Sequence, residues 1–166
     1  MAKQKMLADL FQDTLKDIYF AEKKILAALP KMVKAAQSSE LKSAFQKHHT
    51  ETEGQVDRLE QVFAEIGVKP TGKTCDAIMG ILEEGKSIIE DYKGAPALDA
   101  GLIAAAQAVE HYEIARYGML KTWATQLGYD DAAKLLSQTL EEEKKTDELL
   151  TKIAERANKG SAKKAA

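Results

Sequence analysis

Hydrophobic side chains in this chain recur every three or four residues over four stretches, each about thirty residues long, with breaks only at glycine, proline or paired serines. That period lays one apolar stripe along a helix, and no two-residue alternation competes with it. From Met6 to about Gln37 the stripe is Leu7, Phe11, Leu15, Ile18, Ile25 and Leu29. Pro30 falls inside it and is expected to bend the helix, because it has no N–H to donate to the Leu26 carbonyl. Ser38-Ser39-Glu40 reads as a stop followed by a new N-cap. The second helix then runs to Ile66 with Leu41, Phe45, Leu59, Val62 and Ile66 inward, and Gly67 closes it. Val68 to Thr74 is a loop holding Pro70 and Gly72, and Cys75 to about Tyr92 is a shorter amphipathic segment. The third long helix spans about Ala97 to Leu127 and stops at Gly128. Asp130 is expected to cap the fourth, which continues to about Asn158.

The connections set the topology. Helices 1 and 2 are joined tightly, as are helices 3 and 4, so each pair is an antiparallel hairpin. About thirty residues separate the hairpins, enough to travel the length of a bundle and carry a small helix along it. The fold predicted is therefore all-α: a ferritin-like four-helix bundle of two antiparallel hairpins with a long crossover carrying a short extra helix. Residues 1–158 form its single domain and 159–166 a basic, disordered tail.

Composition narrows the function classes. Hydrophobic residues at 45% and charged residues at 30% describe a folded globular chain. A net charge of −2 gives it no reason to grip nucleic acid or an anionic membrane. Cys75 is the one cysteine, which excludes an internal disulfide and a thiolate zinc site. No apolar run approaches the roughly 20 residues of a membrane span. Met1-Ala2-Lys3-Gln4-Lys5 leads directly into the amphipathic pattern, so the cytoplasm is the expected compartment.

The anomaly lies inside the stripes. Glu22 interrupts the seam of helix 1, Glu110 and Glu113 occupy that of helix 3, and Glu143 and Asp147 that of helix 4. In helix 2 the stripe reads Phe45, His48, Thr52, Gln55 and Leu59, with Glu51 one turn from His48 on its edge, whereas Glu142 falls on the outward side of helix 4. Depth agrees as well. Glu22 lies 16 residues before Ser38 and Glu51 13 after it, while Glu113 and Glu143 each lie 15 residues from Gly128. At 1.5 Å per residue all four sit roughly 20–24 Å from a bundle end. Five or six carboxylates at one buried level repel one another and lose their hydration. Two divalent cations would supply four positive charges and organise the oxygens. For any one glutamate, a swing to solvent or pairing with lysine or arginine is the plainer reading; the coincidence on four helices points to metal.

The segments Ala21-Glu22-Lys23, His48-His49-Thr50-Glu51-Thr52, Val109-Glu110-His111-Tyr112-Glu113-Ile114-Ala115, Ala124-Thr125-Gln126-Leu127-Gly128 and Thr139-Leu140-Glu141-Glu142-Glu143-Lys144 resemble the YciE/YciF family of bacterial ferritin-like stress proteins. The resemblance covers roughly residues 5 to 155. It implies a ferritin-like bundle, a dimetal site, a homodimer and a link to stress, and it defines no reaction. Carried over by position, the helix 1 ligand of such sites matches Glu22, the helix 2 glutamate Glu51, the Glu-x-x-Glu of helix 3 Glu110 and Glu113, and the helix 4 glutamate Glu143. Ferritin-like Glu-x-x-His motifs would place histidine at positions 54 and 146, where this chain has Gly54 and Thr146; His48 and Asp147 are the substitutes at hand. Such oxygen-dominated ligation suits iron or manganese and also admits magnesium or calcium.

Three functions fit these residues. The first is a redox protein whose two divalent ions, iron or manganese, react with dioxygen or peroxide, drawing electrons from an external donor. The second is a non-enzymatic dimeric stress protein with a structural metal site. The third, iron storage in a cage, ranks last because nothing in the sequence marks a cage interface. His111, about 100° around the helix from Glu110, reads as a group that supports a ligand from behind or lies at the surface, His49 as a solvated group, and Tyr112 and Tyr117 as core packing near the site.

Overall fold

Five helices make up the computed structural model, which describes residues 4–162: α1 (Leu7–Ala35), α2 (Ser39–Glu65), α3 (Asp76–Asp91), α4 (Leu98–Gln126) and α5 (Asp130–Ser161). No strand occurs among the described residues, so the protein is all-α and consistent with a helical bundle. Helix α1 packs on α2, α2 on α5, α5 on α4 and α4 on α1, while α3 lies against α1 and α4. None of the helices is long and apolar enough to cross a membrane.

Local chemistry explains the boundaries. The Ser38 hydroxyl accepts from the Leu41 N–H at 3.3 Å and caps α2. Gly67 and Gly128 adopt φ of 68° and 77°, a left-handed conformation that costs an L side chain energy and glycine nothing. Each closes its helix with a paired bond: Val68 N–H to Phe63 O and Gly67 N–H to Ala64 O, then Tyr129 N–H to Ala124 O and Gly128 N–H to Thr125 O. Helix α1 runs through Pro30 to Ala35, as the sequence pattern implied. Two sequence readings need adjustment. Tyr129, not Asp130, occupies the cap of α5, and Asp130 lies in its first turn. The segment read as a tail begins inside α5, where the Ser161 hydroxyl sits 2.9 Å from the Pro96 carbonyl. Residues 163–166 of that segment lie outside the described residues.

Most of the stripes read from the sequence are buried, although Leu7 is exposed and Ile66 half-buried, and Phe63 and Leu102 join the core from outside them. Phe11, Leu15 and Ile18 of α1, Leu41, Phe45, Leu59, Val62 and Phe63 of α2, Leu102, Ile103 and Leu120 of α4, and Leu136 and Leu150 of α5 are buried. Each buried side chain of this size stabilises the fold by about 1.5–3 kcal/mol. One polar contact sets how the two hairpins sit along the axis. Asp99, in the first turn of α4, accepts from the backbone N–H groups of Gln37 (2.7 Å) and Ser38 (2.8 Å) in the α1–α2 turn. That fixes the end of one hairpin against the start of the other and so sets which mid-helix residues face each other.

Candidate metal centre

Halfway along, the seams turn polar. Glu22, Glu113 and Glu143 are 0% exposed, Glu110 1% and His48 4%. His48 comes from α2, Glu110 and Glu113 from α4, and Glu143 from α5; one ligand atom of each lies within 4.8 Å of the others. Glu22 enters from α1, and the Tyr117 hydroxyl of α4 donates to its Oε1 in a very short hydrogen bond. Burial, with the Glu22 charge next, holds the Tyr117 phenol well above its ordinary range, so it stays a donor.

Burial is also the first cause of every carboxyl shift here. It raises Glu22 to about 8, helped by the Glu143 charge, and raises Glu143 to about 7. Glu110 and Glu113 are pushed well above the ordinary carboxyl range by burial and by their neighbours' charges. Burial lowers His48 to about 4, with the Lys47 charge adding to the effect, so its imidazole is neutral and keeps a lone pair for a ligand. His48 Nε2 lies 3.1 Å from Glu110 Oε1 but out of line for a hydrogen bond.

These groups are short of partners. Both oxygens of Glu113 and of Glu143, Oε2 of Glu22 and of Glu110, and both ring nitrogens of His48 are buried without a donor or acceptor in hydrogen-bonding geometry. Protons shared between neighbouring carboxyls, as between Glu110 and Glu143 or Glu22 and Glu113, relieve one oxygen of each and leave the rest bare. Buried oxygens without donors are costly unless a cation meets them. The donor set of carboxylate oxygens with one neutral imidazole could hold a divalent metal ion.

The other sequence candidates sit at the edge of the cluster with their own partners. Glu51 keeps a quarter of its side chain exposed and pairs with Lys47 at 2.8 Å. Asp147 accepts from Gln107 Nε2 at 3.0 Å and lies 3.3 Å from His111 Nε2. Their charges still reach the centre, Glu51 raising Glu143 and Asp147 raising Glu110. His111 is 69% exposed, as a surface group should be.

Glu142 is a correction. It does not stand apart on the outward side of α5: its carboxylate takes both arms of the Arg58 guanidinium and accepts from Gln55 Nε2 at 3.2 Å. Arg58 also donates to Thr139 Oγ1 at 2.8 Å. Its positive charge lowers Glu22 and so offsets part of the burial effect. This network and the Tyr117–Glu22 bond are the parts of the site that sequence reasoning missed. The available signals were an arginine one turn beyond the buried Gln55 and a tyrosine one turn beyond Glu113.

The family described as "Domain of unknown function (DUF892)" matches residues 6–163. Protein YciF of Escherichia coli (strain K12) is 48% identical over 151 residues, covering 90% of this chain and 91% of the relative. The crystal structure of the E. coli stress protein YciF superposes with a TM-score of 0.90 at 46% identity, covering 94% of this chain and 99% of that one. YcfI from Rhodopseudomonas palustris gives 0.87 at 42% identity, covering 91% and 97%. A protein of Xanthomonas campestris, at 22% identity and a TM-score of 0.71 over 90% and 91%, shares the fold. The chain thus belongs to the DUF892 family and is similar to the stress protein YciF over about nine tenths of its length.

Proposed function

We propose that this protein is a ferritin-like dimetal-carboxylate protein of the stress response, in which Glu22, His48, Glu110, Glu113 and Glu143 hold two iron or manganese ions that react with dioxygen or peroxide. The observation that carries the reading is the cluster of buried carboxylate oxygens and imidazole nitrogens that, among the described residues, is short of hydrogen-bond partners. When bound, the ions supply one-electron chemistry at two adjacent centres. The protein's own groups do the rest. His48, neutral, offers nitrogen to one position, and Tyr117 holds Glu22 by one oxygen, leaving Oε2 free to bind. Gln55 links Glu142 to the Glu143 side of the centre, and Arg58 balances charge at its border. The carboxyls, raised when metal-free, release protons as ions bind. We further propose a cytoplasmic homodimer, from the family resemblance, supplied with electrons by a separate protein.

A second reading, a structural metal in a non-enzymatic dimeric stress protein, draws on the near-complete burial of the same residues. One experiment separates the two. Metal-free protein is loaded anaerobically with ferrous ion, then mixed with dioxygen or hydrogen peroxide and a chemical reductant. Oxidation well above the rate of free ferrous ion, sustained over many turnovers, is expected; tight metal retention without turnover would favour the structural role.

A further inference from the structure

The metal-centre reading leaves open which oxidant the site is built for, and two cavities bear on that. A cavity of about 20 Å³ lies directly against His48 and Glu110, and apart from these two its walls are apolar, including Ile25, Leu29 and Ala106. Outside it, a groove of about 400 Å³ runs between α1, α3 and α4 past Ala27, Met79 and Ile89, with Lys24, Lys31, Glu83, Lys86 and Glu90 also along its sides. Ala28, Met32, Leu82 and Val109 line both. The surface groove and the cavity beside the ligand side chains thus meet at these four apolar residues.

We propose that this pair of cavities is a hydrophobic entry and holding site for dioxygen, with Ala28, Met32, Leu82 and Val109 as its gate; the proposal rests on the metal-centre reading and names the oxidant for it. The inner cavity holds about one small molecule. Where the space meets His48 and Glu110 their unpaired polar atoms can hold a water, but the rest of its wall is apolar, and such walls take up small apolar species such as xenon. Dioxygen is uncharged and apolar and enters without losing hydrogen bonds. Hydrogen peroxide must give up its hydrogen bonds to water along an apolar wall, so it is disfavoured on this route. The outer groove faces α3, the short helix of the crossover, and Leu82 of α3 is only partly buried, which lets it move without opening the main core.

With dioxygen, two ferrous ions lose one electron each and dioxygen takes both with two protons, leaving as hydrogen peroxide. With peroxide, the two electrons and two protons split its O–O bond into two waters.

The test has a metal-independent and a metal-dependent arm. Crystals pressurised with xenon are expected to show a peak between Ile25, Leu29, Ala106 and Val109, lost in Ala106→Leu. In stopped flow on ferrous-loaded protein, Ala28→Leu is expected to slow oxidation by dioxygen at least five-fold, change oxidation by peroxide less than two-fold, and leave metal content unchanged. Val109→Ala, which widens the gate, is expected to speed the dioxygen reaction. Metal-loaded protein with no xenon peak, or in which Ala28→Leu slows both oxidants alike or neither, overturns the route and leaves the metal centre standing. Wild-type protein that binds no metal overturns both.

Discussion

Glu113 and Glu143 are fully buried carboxyls short of hydrogen-bond donors, so their substitution separates the cost of the site from its use. Replacing either by alanine removes repulsion and an unsatisfied group but leaves a cavity. The metal-free protein is expected to change by no more than about 2 kcal/mol in either direction, by denaturant titration. Metal content of the same variants should fall to a small fraction of wild type. Glu142→Ala is different: it strands the Arg58 guanidinium and takes away Gln55's acceptor, and should cost about 1–3 kcal/mol while metal is retained. The pH dependence follows from the same carboxyls. Glu22 and Glu143 are raised from 4.5 to about 8 and about 7, and Glu110 and Glu113 well above 4.5. Groups raised on folding contribute stability that is fully present below the unfolded value of 4.5 and is lost as pH rises through the folded values. His48, lowered from 6.5 to about 4, works against this, its contribution growing as pH rises between those two values, but it is one group against four. Metal-free protein should therefore lose thermal stability steadily from pH 5 to pH 8, and metal should remove the loss. A flat profile without metal would contradict the assignment of these glutamates as buried acids.

Between elements, the contact with the clearest positional role is Asp99 on the α1–α2 turn. It accepts two backbone N–H bonds from residues 62 and 61 positions away, and Asp99→Ala should cost roughly 2–3 kcal/mol in a denaturation experiment. Because it also sets the hairpins' axial position, this variant should weaken metal binding although Asp99 touches no ligand. Nothing in the local sequence announces such a bond, since it depends on where the long crossover delivers α4. The seams are the opposite case. Glu22, Glu113 and Glu143 each replace an apolar residue at helical spacing and at one depth, and both signals survive without coordinates. Glu142 was harder to place because Glu141, Glu142 and Glu143 stand about 100° apart around one helix. The pattern finds the inward residue of such a run but does not say which flank meets a neighbouring helix. There the deciding residue is Arg58 on α2, 84 positions earlier. The glycine ends of α2 and α4 were legible because left-handed backbone favours glycine at those turns.

At the scale of the whole molecule, helix packing brings four buried carboxyl groups together at one level. Of the apolar residues on α3, Ile78 is buried against the protein's own core, Ile81, Leu82, Ile88 and Ile89 are packed against it, and Met79 remains 44% exposed. Light scattering at tens of micromolar is expected to give the mass of a homodimer; a monomer would remove that part of the proposal. Cations that bind the folded centre and not the unfolded chain must raise the melting temperature by linkage. Elemental analysis of protein purified without chelators, joined to melting curves before and after ferrous or manganous ion is added, therefore tests the account most directly. About two iron or manganese ions per chain, with a marked rise in melting temperature on adding back metal, is the result it predicts. Well under one metal ion per chain, with no stabilisation by either ion, would contradict it.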